Sequence, residues 1–150
     1  MRTKLVIAVI MTLVAAPRLA LAADGPRIGQ VKTASGEVAI VRDQARSIAK
    51  PGDPVYAKDV IETGDKGSVG ITFVDNTVFS AGPNSELALD QFRFDPSGGE
   101  MLTDMRRGTL SVVSGEITKK SPGGMKVKTP TAVLNVRGTT FAVQVVGGQR

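Results

Sequence analysis

Carboxylates are the main reactive groups this chain offers. It contains no histidine, cysteine or tryptophan, which removes the usual general base near neutral pH, any thiolate nucleophile and the commonest zinc and haem ligands. The acids gather in "GDPVYAKDVIETGD" (52–65), which holds Asp53, Asp59, Glu62 and Asp65. Two carboxylates facing each other across a cleft can hydrolyse a glycosidic bond, so a carboxylate hydrolase is one functional alternative. Ordinary turn chemistry is the better reading, because a chain with one Tyr and five Phe has little flat aromatic surface to line a sugar cleft. Phe73 and Phe141 also sit on apolar strand patterns and read as core. Asp95, Glu100 and Asp104 in "DPSGGEMLTD" are too sparse for a calcium loop. No Gly-rich turn carries the Lys-Ser/Thr pair that cradles phosphate. No cofactor or metal is expected, and the protein is not expected to be an enzyme.

Lys119, Lys120, Lys126 and Lys128 surround a Pro-Gly-Gly turn. A strip of this kind could meet anionic envelope polymers, which makes an envelope glycan-binding module a second alternative. Lys126 and Lys128 alternate with Val127, however, as on the solvated face of a strand, and lysines commonly blunt exposed sheet edges.

Three of the five net positive charges lie at the N-terminus. Residues 1–22 place Arg2 and Lys4 before the apolar run Leu5 to Ala16 and end in Ala20-Leu21-Ala22. That is the pattern of a secretory signal cleaved after Ala22, and the run is too short to span a bilayer. Setting aside its three basic residues takes Lys+Arg from 19 to 16 against 14 Asp+Glu, which is too little excess for a phosphate-neutralising face. Nucleic acid is therefore not an expected partner, and no stable membrane insertion is expected after cleavage. Residues 23–150 are expected to form one exported domain.

Positioning falls to short strands. Apolar residues recur at every second position in "EVAIV" (37–41), "SVGITFV" (68–74), "ELAL" (86–89), "TLSVV" (109–113), "MKVKT" (125–129) and "AVLNV" (132–136), which predicts half-buried strands. "GEMLTDMRRG" (99–108) reads as strand or irregular connection. Turn chemistry separates the runs: "KPGDP" (50–54), "TGDKG" (63–67) and a tight hairpin turn through Asp75 and Asn76. "DPSGGE" (95–100) and "KKSPGG" (119–124) read as the two longest loops. "SGEVAIV" (35–41) and "SGEITKK" (114–120) both open with Ser-Gly-Glu, as if each began a strand. The expected fold is all-β, with many short strands in a solenoid-like coil; a two-sheet β-sandwich predicts nearly the same pattern.

"VRGTTFAVQV" (136–145) contains a break in phase. Ala132, Leu134 and Val136 share one parity, while Phe141, Val143 and Val145 share the other. A bulge or corner at Gly138 would restore both sets to the core side. Arg137 beside it has a fork of donors suited to a carboxylate, with Asp59, Glu62 or Asp75 as candidate partners in a structural clamp.

Jointly, "D-V-I-E-T-G", "F-V-D-N-T", "K-T-P-T-A" and "V-R-G-T-T-F" resemble the FecR-like domain family of bacterial envelope proteins, from about Gly36 to Val143. The motif positions are Asp59, Glu62, Thr63, Gly64, Asp75, Thr129, Pro130, Arg137, Gly138 and Thr139. The resemblance implies an all-β, solenoid-like extracytoplasmic domain that transmits signals by contacting other proteins. Members in the best-known setting couple an outer-membrane transporter to a sigma factor through a membrane regulator. Without an anti-sigma or spanning segment, this chain is expected to be a periplasmic sensor, adaptor or scaffold in a Gram-negative type of envelope. Its partner would be a transporter, membrane sensor or secretion component, held by strand addition at an open C-terminal edge.

Overall fold

The computed structural model describes residues 25–146; the expected signal, residues 1–22, lies outside the described residues. Twelve strands and one short helix follow in the order β1 (Arg27–Ser35), β2 (Val38–Arg42), β3 (Ala45–Ile48), β4 (Pro54–Tyr56), β5 (Val60–Thr63), β6 (Ser68–Phe73), β7 (Val78–Ala81), β8 (Glu86–Asp95), β9 (Gly98–Val113), α1 (Glu116–Lys120), β10 (Met125–Lys128), β11 (Val133–Asn135) and β12 (Thr140–Val145). Alternation sets the faces. In β6, Val69, Ile71 and Phe73 are buried while Ser68, Gly70 and Thr72 turn away from the core, as period-2 side-chain geometry requires.

The long strand β9 joins the two wings of the fold. Its first part pairs antiparallel with β8 and in parallel with β10; from Gly108 onward it pairs antiparallel with β12, and from Leu110 with β7. One wing continues from β8 through β5 and β2 to β3, and the other from β7 through β6 and β1 to β4. On the far side of β10 lies β11. The sheet is therefore curled into a half-barrel, which is the many-stranded, coiled all-β architecture expected.

One core fills the curl, drawn from both wings: Val31, Ile71 and Phe79 from one, Ile61, Leu87 and Leu89 from the other, and Met105 and Leu110 from β9 between them. Burying a side chain of this size contributes about 1.5–3 kcal/mol, so the stability that a disulfide might have supplied comes from packing. Phe73 meets Phe79 edge-on with centroids 4.8 Å apart and stacks on Phe92 at 5.7 Å, which confirms its place in the core.

Two local readings are corrected, and a third is settled in favour of a strand. "SGEITKK" does not begin a strand: Glu116–Lys120 is a helical turn with Ile117 fully buried, so the Ser-Gly-Glu likeness is not a structural repeat. "DPSGGE" is not a long loop, because Asp95 pairs with Gly98 and Phe94 with Gly99 across a tight β8–β9 hairpin. Pairing with β8 outweighs the turn-like composition of two adjacent glycines. The strand β9 also extends through "GEMLTDMRRG", where Met101, Thr103 and Met105 are buried in strand alternation.

Candidate functional site

The acidic segment 52–65 builds architecture. Asp59 is fully buried and accepts a fork from Arg42, with Nε and Nη2 each 2.7 Å from its carboxylate oxygens, plus the Tyr56 backbone N–H at 2.9 Å. That hydrogen bond holds the Arg42 guanidinium above its ordinary pKa. The guanidinium also stacks over the Tyr56 ring at 4.4 Å. Glu62 pairs with Arg46 of β3, and Asp53 accepts the Lys50 N–H within its turn. The Thr63 hydroxyl donates to the Gly82 carbonyl at 2.7 Å and accepts the Ser85 N–H at 2.9 Å. The Gly64 N–H bonds the Glu37 carbonyl, and its own carbonyl accepts from Asn84 and Gly67. Asp53, Asp59 and Glu62 are thus each engaged by a cation or a backbone amide.

Asp75 is another buried clamp. Its carboxylate accepts from the Thr77 hydroxyl at 2.7 Å, the Thr77 N–H at 3.1 Å and the Ile117 N–H at 3.2 Å. The turn through Asp75 and Asn76 is present, with Asn76 at φ 66°. Its main role is tertiary, since it fixes the start of α1 to the β6–β7 connection.

Arg137 departs from expectation. It is exposed, and no ion pair involves it among the described residues. Asp59 and Glu62 are occupied by Arg42 and Arg46, because pairing sets β2 beside β5 and β3 on the far side of β2, and Asp75 is occupied by Thr77 and Ile117. Arg137→Gln is accordingly expected to shift stability by no more than about 0.5 kcal/mol. Thermal melting checks this, and a loss of several degrees would reinstate the clamp.

The bend beside it is where parity placed it, but Ala132 and Leu134 before it are exposed, and of their set only Val136 reaches the core. Gly138 adopts φ 97°, a left-handed conformation that favours glycine. The chain turns a corner there, from β11 on the β10 edge to β12 on β9. Ser114 secures the corner, its hydroxyl donating to the Gly138 carbonyl and its N–H to the Thr139 carbonyl at 2.8 Å. Val136 before the corner is buried, and Phe141 and Val145 after it pack against the core. Thr129 closes the preceding β10–β11 turn, its hydroxyl accepting the Ala132 N–H at 3.0 Å. Pro130 follows in that turn and lines a groove with Arg106, Leu134, Val143, Val145 and Val146, about 440 Å³ in volume. The structure therefore gathers the C-terminal motif residues around β12 and leaves the others in separate clamps.

Charge is segregated between the two wings. The outer face of the β8 wing carries an ion-pair ladder: Arg46 with Glu37 and Glu62, Arg106 with Glu86 at 2.7 Å and Asp104 at 3.8 Å, and Arg107 with Glu86 at 3.4 Å. The Glu86 hydrogen bond raises the Arg106 pKa. Lys126 and Lys128 project from the same wing. They do not form a free basic strip with the other two lysines, because Lys119 bonds Glu116 and Lys120 lies over the Phe94 ring.

The β7 wing presents the opposite surface. Register aligns Thr33, Gly70, Ser80, Ser111 and Ala142 in one row across β1, β6, β7, β9 and β12, and Gln30, Thr72, Val78, Val113 and Thr140 in the next. Neither row contains a charge, and Lys32 stands at the far margin, in a bulge of β1. A shallow depression of about 490 Å³ lies over Ser80, Ser111 and Ala142. At the near margin, β12 pairs only with β9 among the described residues, so its other edge is open. Val113, Val133, Leu134 and Val146 are exposed around that margin. Sequence reasoning missed this face because its residues come from five separate strands and none is distinctive by itself.

Comparison with known proteins gives a family. A model of the family described as "FecR protein" matches residues 59–150. One solved structure, described as "Cell surface anchoring domain", is 33% identical over a region covering 41% of this chain and 83% of that chain, with a TM-score of 0.39. No curated protein matches the chain.

Proposed function

The chain belongs to the FecR protein family, and from that premise we propose that it is a non-enzymatic, extracytoplasmic protein-interaction module in envelope signalling or scaffolding. The family is envelope-associated and regulatory rather than catalytic. The basic, apolar and small-residue order of residues 1–22 supports export to a periplasm. No helix among the described residues is long and apolar enough to cross a membrane.

The observation that carries this reading is the uncharged outer face bordered by the open β12 edge. A sheet edge offers unpaired N–H and C=O groups to an extended segment of a partner, while neighbouring side chains select its sequence. A partner suited to this site is an envelope protein, such as a transporter, membrane sensor or secretion component, that presents an uncharged extended segment. The laced charges of the other wing suit a solvated face, since exposed ion pairs contribute little to binding or stability.

Site-specific photocrosslinking tests the assignment. A crosslinker at Ser111 in the exported chain is expected to capture an envelope protein other than the chain itself. One at Lys126, on the charged wing, is expected to capture none. Capture from Lys126 and not from Ser111 would reject the proposed face. If it also disappeared on neutralising Lys128, the glycan-facing lysines would be the working surface instead.

A further inference from the structure

We propose that the open β12 edge is occupied by β12 of a second copy of this chain, paired antiparallel about a two-fold axis through Ala142. The inference rests on the interaction-module reading for its consequence, which is that self-pairing competes with partner binding.

Hydrogen-bond phase identifies the groups available. The Ser114 N–H donates to the Thr139 carbonyl at 2.8 Å, and the register continues through Phe141 opposite Val112 and Val143 opposite Leu110. In an antiparallel ladder the bonding direction alternates from residue to residue. Thr139, Phe141, Val143 and Val145 therefore bond toward β9, while Thr140, Ala142 and Gln144 direct their N–H and C=O groups outward.

Those three residues form a self-complementary set. A two-fold axis through Ala142 sets Ala142 against Ala142 of the second copy, Thr140 against Gln144 and Phe141 against Val143. Small side chains meet at the axis, polar side chains pair on the outer face, and half-buried apolar side chains pair on the inner face. The Gly138 corner ends the ladder in each copy.

Charge explains why the occupant is β12 itself. Residues 138–149 contain no charged side chain, so the strand meets a copy of itself without like-charge repulsion. The other edges carry devices that discourage pairing. On β3, Arg46 is held by Glu37 and Glu62; β4 is three residues long and begins with Pro54; β11 is three residues long, beside Lys126 and Lys128. Among these edge strands, β12 alone is six residues long with no Pro and no charge. The added strand also lies beside the groove lined by Leu134, Val143 and Val145, where it covers apolar surface that the isolated chain leaves to water; Arg106, which also lines the groove, is already paired with Glu86.

Sedimentation of the full-length chain from micromolar to millimolar concentration should show the mass rising from one copy to two. Ala142→Lys and Ala142→Glu each set like charges opposite one another at the axis, so each variant alone is expected to stay monomeric. An equimolar mixture of the two should recover the dimer, because the axis then pairs Lys with Glu. As a second route, Ala142→Pro removes an outward amide without touching the β9 ladder and should weaken dimerisation roughly tenfold or more, with melting confirming the fold. A wild type that is monomeric throughout, separate variants that still dimerise, or a mixture that stays monomeric would each overturn the proposal. Crosslinking from Ser111 is scored separately. Dimerisation without partner capture rejects the proposed function and spares this inference, and capture by a chain that never dimerises does the reverse.

Discussion

Arg42→Met is expected to destabilise the protein by about 3 kcal/mol, near the lower end for breaking a buried ion pair. The reason is an asymmetry in burial, with the Asp59 side chain fully buried and that of Arg42 35% exposed. Removing the arginine leaves a carboxylate with no cation and with one backbone donor, the Tyr56 N–H, and burying an unpaired charge is costly. Removing the carboxylate instead leaves a guanidinium that water can reach, so Asp59→Ala should cost less, about 2 kcal/mol. The double variant should cost less than the two single losses combined, because each partner's penalty vanishes with the other. Urea unfolding of the three variants closes the cycle. In melting, Arg42→Met should appear as a fall of about 10 °C for a domain of this size. A loss below that of Asp59→Ala would mean that the carboxylate is not held by this arginine.

Gly115→Ala is expected to be comparably damaging, for steric reasons. An added Cβ would fall well inside contact distance of the Asp75 carbonyl oxygen and the Thr77 nitrogen, both backbone atoms that cannot swing aside. Overpacking against side chains costs roughly 1–3 kcal/mol, and here the obstruction also separates three hydrogen bonds. These are Gly115 N–H to the Thr77 hydroxyl at 3.1 Å, Glu116 N–H to the Asp75 carbonyl at 2.8 Å and Ile117 N–H to the Asp75 carboxylate at 3.2 Å. A total loss of about 3 kcal/mol or more is expected, read by urea unfolding or by loss of soluble protein. Asp75→Ala removes the same clamp without the clash and should cost about 2 kcal/mol, so a Gly115 variant that does not fold still leaves a measurement. A stability unchanged by both substitutions would show that α1 docks through Ile117 alone.

Several elements are legible in the sequence because their signal is local. The alternation in "SVGITFV" identifies β6 and its buried face, and the same rule locates β2, the start of β8, the end of β9 and β10. The phase change between Val136 and Phe141 forecasts the corner at Gly138 without knowledge of what lies on either side. The strands β1, β3, β4, β5 and β7 are not singled out: β1 loses strict alternation at its bulge between Val31 and Thr33, all four residues of β3 are exposed, and β4 is only three residues long. The reading of Ser-Gly-Glu as a repeated strand opening failed for another reason. Gly36 and Gly115 occupy unrelated surroundings, and the second is fixed by contact with Asp75 and Thr77, far away in sequence.

Residue types and their spacing thus determined an all-β chain without histidine or thiol chemistry, its main strands and the position of its last bend. These follow from side-chain period and backbone preference, which act within a few residues. The tertiary structure decided which partners Asp59, Glu62 and Asp75 meet, that Arg137 forms no ion pair among the described residues, and that ion pairs lace the outer face of one wing while two rows across the other carry no charge. It also decided that β12 keeps an open edge. All of these depend on register between strands far apart in the chain. A shift of one residue in any pairing would turn the opposite set of side chains outward, so no property of the separate strands could have settled them.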